Sequence, residues 1–336
     1  MALEKLKVRF LVILNKIKLN RMKNLKNYIK DYINESIWDI EDNIEDDNQE
    51  FHLTEVKKFL EDNYEHININ RCEFVFDKKK KKHVVNCVQQ VNLKHSAKQL
   101  TNDLFEWGVV DDVFSCYDCS ELTSLKGAPK EVNGSFDCSR CESLESLKGA
   151  PEIVKEWFDC KGCSITSLEG APKEVGGFFG CSECPELVTL KGAPKTVGGG
   201  FSCSECFKLK SLEGAPEKVS GNFNCTGCDK LKTLEGASKI VERDFKCLKC
   251  TNLISLKGAP KEVRSFYCAK CDELKSLEGA PKHIGETFHC RQCLNLTSLK
   301  GAPKEVGGDF DCSGCPNLHS LDGIGEVRGQ IISDIE

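Results

Sequence analysis

The sequence lacks the features that mark membrane-spanning, secreted and nucleic-acid-binding proteins. Near the N-terminus the longest apolar run, residues 10–14, has only five residues, which is too short for a signal-peptide core. No other stretch approaches the roughly 18 apolar residues of a membrane-spanning helix. The net charge of −5 supplies no overall basic field for nucleic acid or an anionic membrane. We therefore expect a cytoplasmic protein with free thiols and with neither a membrane nor a nucleic-acid partner.

Catalytic motifs are missing as well. The seven histidines are scattered and form no His-Glu-x-x-His pattern. The chain has neither a Gly-x-x-x-x-Gly-Lys phosphate loop nor the Gly-x-Ser-x-Gly turn that presents a nucleophile. These absences argue against the metalloprotease, nucleotide-hydrolysing and α/β-hydrolase classes. We expect a protein that is not an enzyme and that carries no cofactor.

Cysteine, in contrast, is abundant and periodic. The chain of 336 residues has 22 cysteines, and ten Cys-x-x-Cys pairs follow one another every 21 or 22 residues, from Cys116/Cys119 to Cys312/Cys315. The surrounding unit reads Phe-x-Cys-x-x-Cys-x-x-Leu-x-Ser-Leu-x-Gly-Ala-Pro-Lys-x-Val. A fixed period of this length predicts a solenoid. Each unit is too small to bury its own apolar faces, so stable units must stack on one another.

Ahead of the repeats, residues 1–66 predict a charged leader of two or three short amphipathic helices. Leu53, Val56 and Phe59 recur at helical spacing, and residues 39–47 are strongly acidic. Met22 is an alternative start of the chain.

Residues 67–113 predict a β-hairpin and an irregular N-terminal cap. Residues 72–76 and 83–88 have the character of two strands, and five lysines at 78–82 lie between them. The lysine run is interpreted as a solvated hairpin tip rather than as a nucleic-acid or nuclear-targeting patch. Residues 114–317 are the ten coils, and residues 318–336 are a C-terminal cap.

One position in each coil is a candidate for contact with a partner. In the Phe-x-Cys segment, Phe and Cys share one face of a short strand, so the residue between them points outward. This outward residue varies freely from coil to coil. We call the set of these positions the contact row. The candidate partner-contact residues are Asp137, Asp159, Ser202, Asn224, Lys246, Tyr267, His289 and Asp311.

The repeated cysteines have three interpretations. Two Cys-x-x-Cys pairs separated by 18 residues match the spacing of a zinc site. A four-thiolate site would consume two coils, however, and the unit repeats with a period of one coil and offers no recurrent histidine or acidic partner. Cysteine is also a small, frequently buried side chain, which favours a buried ladder of thiols. Metal binding and disulfide or redox chemistry are the alternatives.

The repeat resembles the leucine-rich-repeat superfamily, in particular a short bacterial class with Phe-x-x-Cys-x-x-Leu coils. It departs from that pattern in its second cysteine and its Gly-Ala-Pro turn. It is more similar to cysteine-rich repeat proteins encoded by tailed bacteriophages of gut Bacteroidetes. The segments that carry this resemblance are NLTSLKGAPKEVGGDFDCSGC (295–315), LFEWGVV (104–110) and, more weakly, DYINESIWDIEDN (31–43). The resemblance implies a phage or prophage origin, hence the cytoplasm of the host cell or a place in the virion, and it implies no activity.

Together these observations predict a leucine-rich-repeat-like solenoid of β-rich coils, 21–22 residues each, preceded by a small α-helical region. The expected function is that of a non-enzymatic protein-binding or structural module, monomeric, with an unidentified protein partner. The alternatives are a structural zinc protein with four-thiolate sites between coils and a thiol-redox protein.

Overall fold

The structure, a computed structural model, describes residues 49–335. The helices predicted before residue 49, the acidic segment at 39–47 and the alternative start at Met22 lie outside the described residues. Within them, residues 49–63 are helical, as the spacing of Leu53, Val56 and Phe59 predicts, and a short 3-10 helix spans Ile69–Arg71. The rest of the described chain is a β-solenoid of about 11 turns.

Each coil contributes two short strands, one on each of two faces. The first face is a 13-stranded sheet in which every strand but the first runs parallel to its neighbour. We call the strands that begin at or just before the repeated phenylalanine the Phe strands. They are Phe114–Ser115, Phe136–Asp137, Phe158–Asp159, Phe179–Gly180, Phe201–Ser202, Phe223–Asn224, Asp244–Lys246, Ser265–Tyr267, Phe288–His289 and Phe310–Asp311. Tyr64–Glu65 and Val91–Leu93 precede them in this sheet, and Ile331–Ile332 follows them.

The second face consists of the strands that end in the repeated valine or its isoleucine equivalent. They are Glu131–Val132, Ile153–Val154, Glu174–Val175, Thr196–Val197, Lys218–Val219, Ile240–Val241, Glu262–Val263, His283–Ile284, Glu305–Val306 and Glu326–Val327. The ladder is interrupted between Ile240–Val241 and Glu262–Val263, which leaves sheets of nine and four strands. The interruption coincides with a coil that is one residue shorter than its neighbours near Arg264.

The core is a set of ladders made by identical residues in successive coils. Phenylalanine, both cysteines and two leucines (Ile165 in one coil) are buried in every coil from Phe114 onward, except that Leu321 in the last coil is only partly buried. The ten phenylalanine rings stack with centroids 4.9–5.6 Å apart and with planes 1–27° from parallel. In-register parallel pairing places each ring over its counterpart, because neighbouring strands lie about 4.8 Å apart.

The corners of the coil explain the polar residues of the repeat. In each Leu-x-Ser-Leu-x-Gly segment, the Ser or Thr hydroxyl accepts a hydrogen bond from the backbone N–H two residues later, as at Ser211 and Glu213. The glycine that follows, for example Gly214, has φ near +90°, and a Cβ there would lie 2.5 Å from the backbone nitrogen of Lys191. Glycine is therefore required by both conformation and space. The prediction that glycine supplies this turn is confirmed.

The Cys-x-x-Cys corner needs a left-handed residue in every coil. The residue before the second cysteine has φ between +55° and +72° throughout. Three coils place glycine there. The other seven use Asp118, Arg140, Glu183, Glu205, Lys249, Lys270 and Gln292. A side chain in this conformation costs about 1–2 kcal/mol, so packing of the stacked coils must hold these residues in place.

An N-terminal cap covers the first coil. Its strands Cys72–Asp77 and Lys82–Cys87 form the predicted antiparallel hairpin, and a disulfide joins Cys72 to Cys87, which face each other with Cα atoms 4.2 Å apart. The expectation of free thiols is wrong at this pair, because the hairpin register places the two cysteines opposite each other. The strand Phe105–Val110 continues the sheet from the hairpin to the first coil.

The end of the phenylalanine ladder is closed by aromatic rings set edge-on. Trp107 and Tyr64 contact Phe114 at centroid distances of 5.6 Å and 6.2 Å. The Trp107 indole N–H donates to the Leu100 carbonyl oxygen and lies 3.1 Å from the Tyr64 hydroxyl. Val56 and Tyr64 belong to the same buried core. The structure thus includes residues 55–66 in the cap, whereas the sequence places the end of the leader at residue 66.

At the other end, Ile331–Ile332 pairs with Phe310–Asp311 and replaces the phenylalanine with isoleucine. Ile331 is 47% exposed and Ile332 is 39% exposed. Ion pairs along the solenoid surface join neighbouring coils, as between Lys257 and Glu235 at 2.8 Å. Exposed pairs of this kind contribute little to stability.

Candidate functional site

The contact row lies along the Phe sheet, one position beyond the buried phenylalanines. Six of its eight predicted residues are partly exposed. The other two, Ser202 and Asp311, are only 7% and 5% exposed. Because neighbouring row residues sit on adjacent parallel strands, they form one continuous line of side chains along the solenoid.

Several row residues have a local structural role. Asp137, Asp159, Asn224 and Asp311 each accept a hydrogen bond through Oδ1 from the backbone N–H two residues later. These bonds, 2.9–3.1 Å long, support the Cys-x-x-Cys corner in the manner of an Asx turn. The side-chain oxygens at these positions are thus partly committed to the fold.

The C-terminal half of the row is a chain of mutual contacts. Lys246 Nζ lies 5.7 Å from the centroid of the Tyr267 ring. The other face of that ring stacks on His289, with centroids 5.1 Å apart and planes 12° from parallel. His289 Nδ1 in turn lies 3.3 Å from Asp311 Oδ2. Cation–π, stacking and hydrogen-bond contacts therefore order four consecutive row residues.

Two adjoining cavities open onto this part of the row. The larger, of about 520 Å³, lies over Gly198–Gly200 and has Phe178 among its walls. The smaller, of about 320 Å³, is lined by residues that include Tyr267, His289 and Arg291. Lys246 lines both cavities. We call the two together the basic groove.

The basic groove contains no carboxylate. Its ionisable lining residues are Arg243, Lys246, Tyr267, His289 and Arg291. This is unusual for a chain with a net charge of −5. The row carries carboxylates on both sides of the groove, at Asp137 and Asp159 before it and at Asp311 after it.

The contact row predicted from the sequence covers only part of this groove. Five row residues line it: Ser202, Asn224, Lys246, Tyr267 and His289. The prediction did not include Phe178, Arg243 or Arg291, which occupy other positions of their coils. The sequence does contain one indication of the groove in Gly198–Gly200. Gly200 occupies the position at which two other coils carry the large side chains of Trp157 and Phe178.

The repeat cysteines form a different kind of arrangement. All twenty are buried and free. From Cys141 to Cys315, the thiol of each second cysteine donates to the carbonyl oxygen of the first cysteine in the preceding coil, at 3.0–3.3 Å. The buried thiol ladder predicted from the sequence is therefore present. Each of these thiols supplies a hydrogen bond to a backbone carbonyl in the core.

Burial also determines the chemistry of these thiols. It raises the pKa of Cys138, Cys181 and Cys290, and it raises the pKa of Cys119 to about 12. The thiolate is the nucleophile and the metal ligand, so a raised pKa lowers reactivity. Cys315, in the last coil, is the exception, because a hydrogen bond with Cys293 lowers the pKa of its thiol to about 7. Among residues 49–335, no group of three or more His, Cys, Asp or Glu side chains is placed to hold a metal ion.

Comparison with known proteins gives one structural similarity. No protein-family model matches the chain, and no curated protein matches it. Among solved structures, the chain is similar to the crystal structure of a leucine-rich repeat protein from Bacteroides ovatus ATCC 8483. The identity is 16%, the similarity covers 80% of this chain and 91% of that chain, and the TM-score is 0.35. No activity is transferred from that protein. No helix within residues 49–335 is long and apolar enough to cross a membrane.

Proposed function

We propose that this chain is a non-enzymatic protein-binding module and that the basic groove is its binding surface. A stacked solenoid presents a rigid, extended surface, which suits recognition of a protein partner. The observation that carries the proposal is the set of cationic and apolar groups in the groove that have no acidic partner there. Arg243 and Lys246 line the groove and form no ion pair within residues 49–335, and Phe178 is 40% exposed. Groups of this kind gain interactions when a partner arrives.

The proposed binding surface includes only some of the residues of the contact row. Asn224, Lys246, Tyr267 and His289 are partly exposed in the groove, and Ser202 forms part of its floor. Asp137, Asp159 and Asp311 lie outside it and bond to their own turns. They are assigned to the fold and not to the partner.

An unbiased selection of protein fragments tests the proposal. A display library of natural protein fragments is selected against the immobilised chain, and enriched fragments are titrated against the wild type, Lys246→Glu and Lys232→Glu. Lys232 is an exposed lysine outside the groove, so it is a matched control for charge reversal. We expect Lys246→Glu to weaken binding at least about tenfold and Lys232→Glu to leave it within about twofold.

The proposal fails if no fragment is enriched, or if the enriched fragments bind Lys246→Glu as well as the wild type. A negative selection would leave the chain as a structural module. Enriched fragments whose binding depends on residues outside the groove would show that the binding surface lies elsewhere on the solenoid.

The zinc and thiol-redox alternatives have direct tests of their own. Zinc in four-thiolate sites would give about five metal ions per chain in protein purified without chelator. A redox role would require an exposed thiol of low pKa that is alkylated quickly. A buried ladder instead predicts slow alkylation of the repeat cysteines until the chain unfolds. The phage or prophage origin stays a prediction from the repeat's resemblance.

A further inference from the structure

We infer that the basic groove takes an extended acidic peptide, about seven residues long, with an apolar side chain at the end nearest Phe178. This inference rests on the proposed function and adds the chemistry of the partner. It depends on the length, floor, charge and aromatic geometry of the groove.

The groove is shaped for an extended chain. It crosses five coil steps, from the coil of Phe178 to the coil of His289. At about 4.8 Å per step this spans roughly 24 Å, the length of about seven residues in a β conformation. The groove also runs along the solenoid axis, across the strands, so an occupant contacts one side chain from each successive coil.

The floor of the larger cavity is bare backbone. Gly198–Gly200 supplies no side chains, and a Cβ on Gly200 would lie 3.3 Å from Cδ2 of the Phe178 ring. The glycine thus leaves the side of this ring open towards the cavity. An apolar side chain of the occupant can lie against Phe178 while its backbone approaches the glycines.

Two side-chain amides, those of Asn222 and Asn224, line the larger cavity. Asn222 and Asn224 use their Oδ1 atoms within the chain, as acceptors for the N–H groups of Asp244 and Thr226. Their Nδ2 groups make no hydrogen bond within residues 49–335, and both residues line the cavity. Two amide donors are therefore available to carbonyl oxygens of a peptide.

The charge of the groove selects an acidic occupant. Arg243, Lys246 and Arg291 line it, none of them is in an ion pair within residues 49–335, and no carboxylate lies among the lining residues. Like charges without partners repel one another, and an acidic segment removes that repulsion. Guanidinium groups at two of the three positions suit carboxylates, which they can bind in bidentate fashion.

The aromatic geometry disfavours a single-stranded nucleic acid. Such ligands stack successive bases on exposed ring faces. The Tyr267 ring is covered on one face by His289 and on the other by Lys246. Phe201 also lines the larger cavity, but its ring is buried and stacked between those of Phe179 and Phe223. Phe178 is then the exposed aromatic wall, which is one anchoring position rather than a series of platforms.

The test uses defined probes with the full chain. One pool holds seven-residue fluorescent peptides with a fixed leucine or phenylalanine at either end and Asp or Glu elsewhere. A second pool carries Asn and Gln at the same positions, and a third probe is a single-stranded oligonucleotide. Anisotropy titrations are run with the wild type, Lys246→Glu, Arg291→Glu, Phe178→Ala and the control Lys232→Glu. Thermal unfolding checks that each variant is folded.

We expect the acidic pool to bind the wild type at least about tenfold more tightly than the amide pool. Lys246→Glu, Arg291→Glu and Phe178→Ala should each lose about tenfold, whereas Lys232→Glu should stay within about twofold. Equal binding of the acidic and amide pools overturns the inference, and so does tighter, Lys246-dependent binding of the oligonucleotide.

Failure of the inference is distinguishable from failure of the proposed function. Fragments from the unbiased selection that need Lys246 but carry no acidic segment would retain the protein-binding module and reject the acidic peptide. As a second measurement, amide chemical shifts should change on addition of the acidic pool at Asn222, Asn224 and Gly198–Gly200. Changes confined to other coils would overturn the assignment of the site.

Discussion

The Sγ atom of Cys228 lies 3.1 Å from the backbone carbonyl oxygen of Cys203 in the preceding coil. The equivalent bond joins every later pair of neighbouring coils up to Cys315. A buried carbonyl without a partner costs about 1–3 kcal/mol. The second cysteine of the repeat is therefore both a small apolar side chain and a hydrogen-bond donor between coils, which explains the Cys-x-x-Cys motif without a metal.

Replacing the two cysteines of a pair separates these roles. Cys228→Ala removes the donor and some volume, and it should lower the free energy of unfolding by about 1–3 kcal/mol. Cys203→Ala removes similar volume but keeps the backbone carbonyl that accepts from the Cys228 thiol, so its loss should be smaller. Urea unfolding of both variants measures the difference. Equal losses would show that the thiol–carbonyl bond contributes nothing.

The phenylalanine ladder should be most sensitive in its middle. The Phe223 ring lies 4.9 Å from the Phe245 ring, with planes 1° from parallel. Phe223→Ala should destabilise the solenoid by about 3–5 kcal/mol, because it leaves a cavity between two rings that cannot approach each other. Phe207, which is 52% exposed, supplies the control. Phe207→Ala should change stability by less than about 0.5 kcal/mol in the same unfolding experiment.

Replacing the residue with left-handed backbone conformation in the Cys-x-x-Cys corner should raise stability, whereas the preceding substitutions should lower it. Lys249 has φ of +55°. Lys249→Gly should raise stability by roughly 0.5–1 kcal/mol, because relief of the left-handed strain exceeds the added freedom of the unfolded chain. Lys232→Gly, at an exposed position outside these corners, should lower stability. A loss of stability in Lys249→Gly as large as that in Lys232→Gly would contradict the assignment of strain.

The cap can be tested at its buried tyrosine. The Tyr64 hydroxyl donates to the Leu100 carbonyl oxygen and lies beside the Trp107 indole, and burial raises the pKa of that hydroxyl. Tyr64→Phe should cost about 1–2 kcal/mol of unfolding free energy. The exposed Tyr117 is the matched control, and Tyr117→Phe should be neutral. If both changes are neutral, the hydrogen bonds of the cap do not stabilise the first coil.

A pH dependence follows from Asp159. Burial raises the pKa of its carboxyl to about 6 from an ordinary 3.8. The folded state then binds more protons than the unfolded state between these values, so Asp159 lowers stability increasingly as the pH rises from about 4 to 6. Asp159→Asn, which keeps an oxygen for the Lys161 N–H, should be more stable than the wild type at pH 7 by on the order of 1–2 kcal/mol. That advantage should disappear near pH 4.

Thermal unfolding across this pH range measures the effect. Glu205→Gln, an exposed change of the same charge, is the control. An advantage of Asp159→Asn that is independent of pH would reject titration of Asp159 as its cause.

Much of the fold follows from the order of residues along the chain. The period of 21 or 22 residues predicts the stacked coils, and the identical spacing of Phe, Cys and Leu predicts which side chains are buried. These features are local, because each coil repeats the same short pattern and parallel pairing in register places equal residues over one another. The turn glycines follow in the same way from the Gly-Ala-Pro segment.

The groove, the disulfide and the burial of individual row residues were decided by the tertiary structure. Phe178, Asn222 and Arg291 are far apart in sequence, and only the stacking of coils brings them to one surface. Cys72 and Cys87 meet only because the hairpin adopts the register that pairs them. Ser202 and Asp311 are buried although their strand position predicts exposure, since neighbouring side chains cover them. A repeating sequence determines which residues lie in a column, but the size and charge of neighbours within and between columns determine where a binding surface opens.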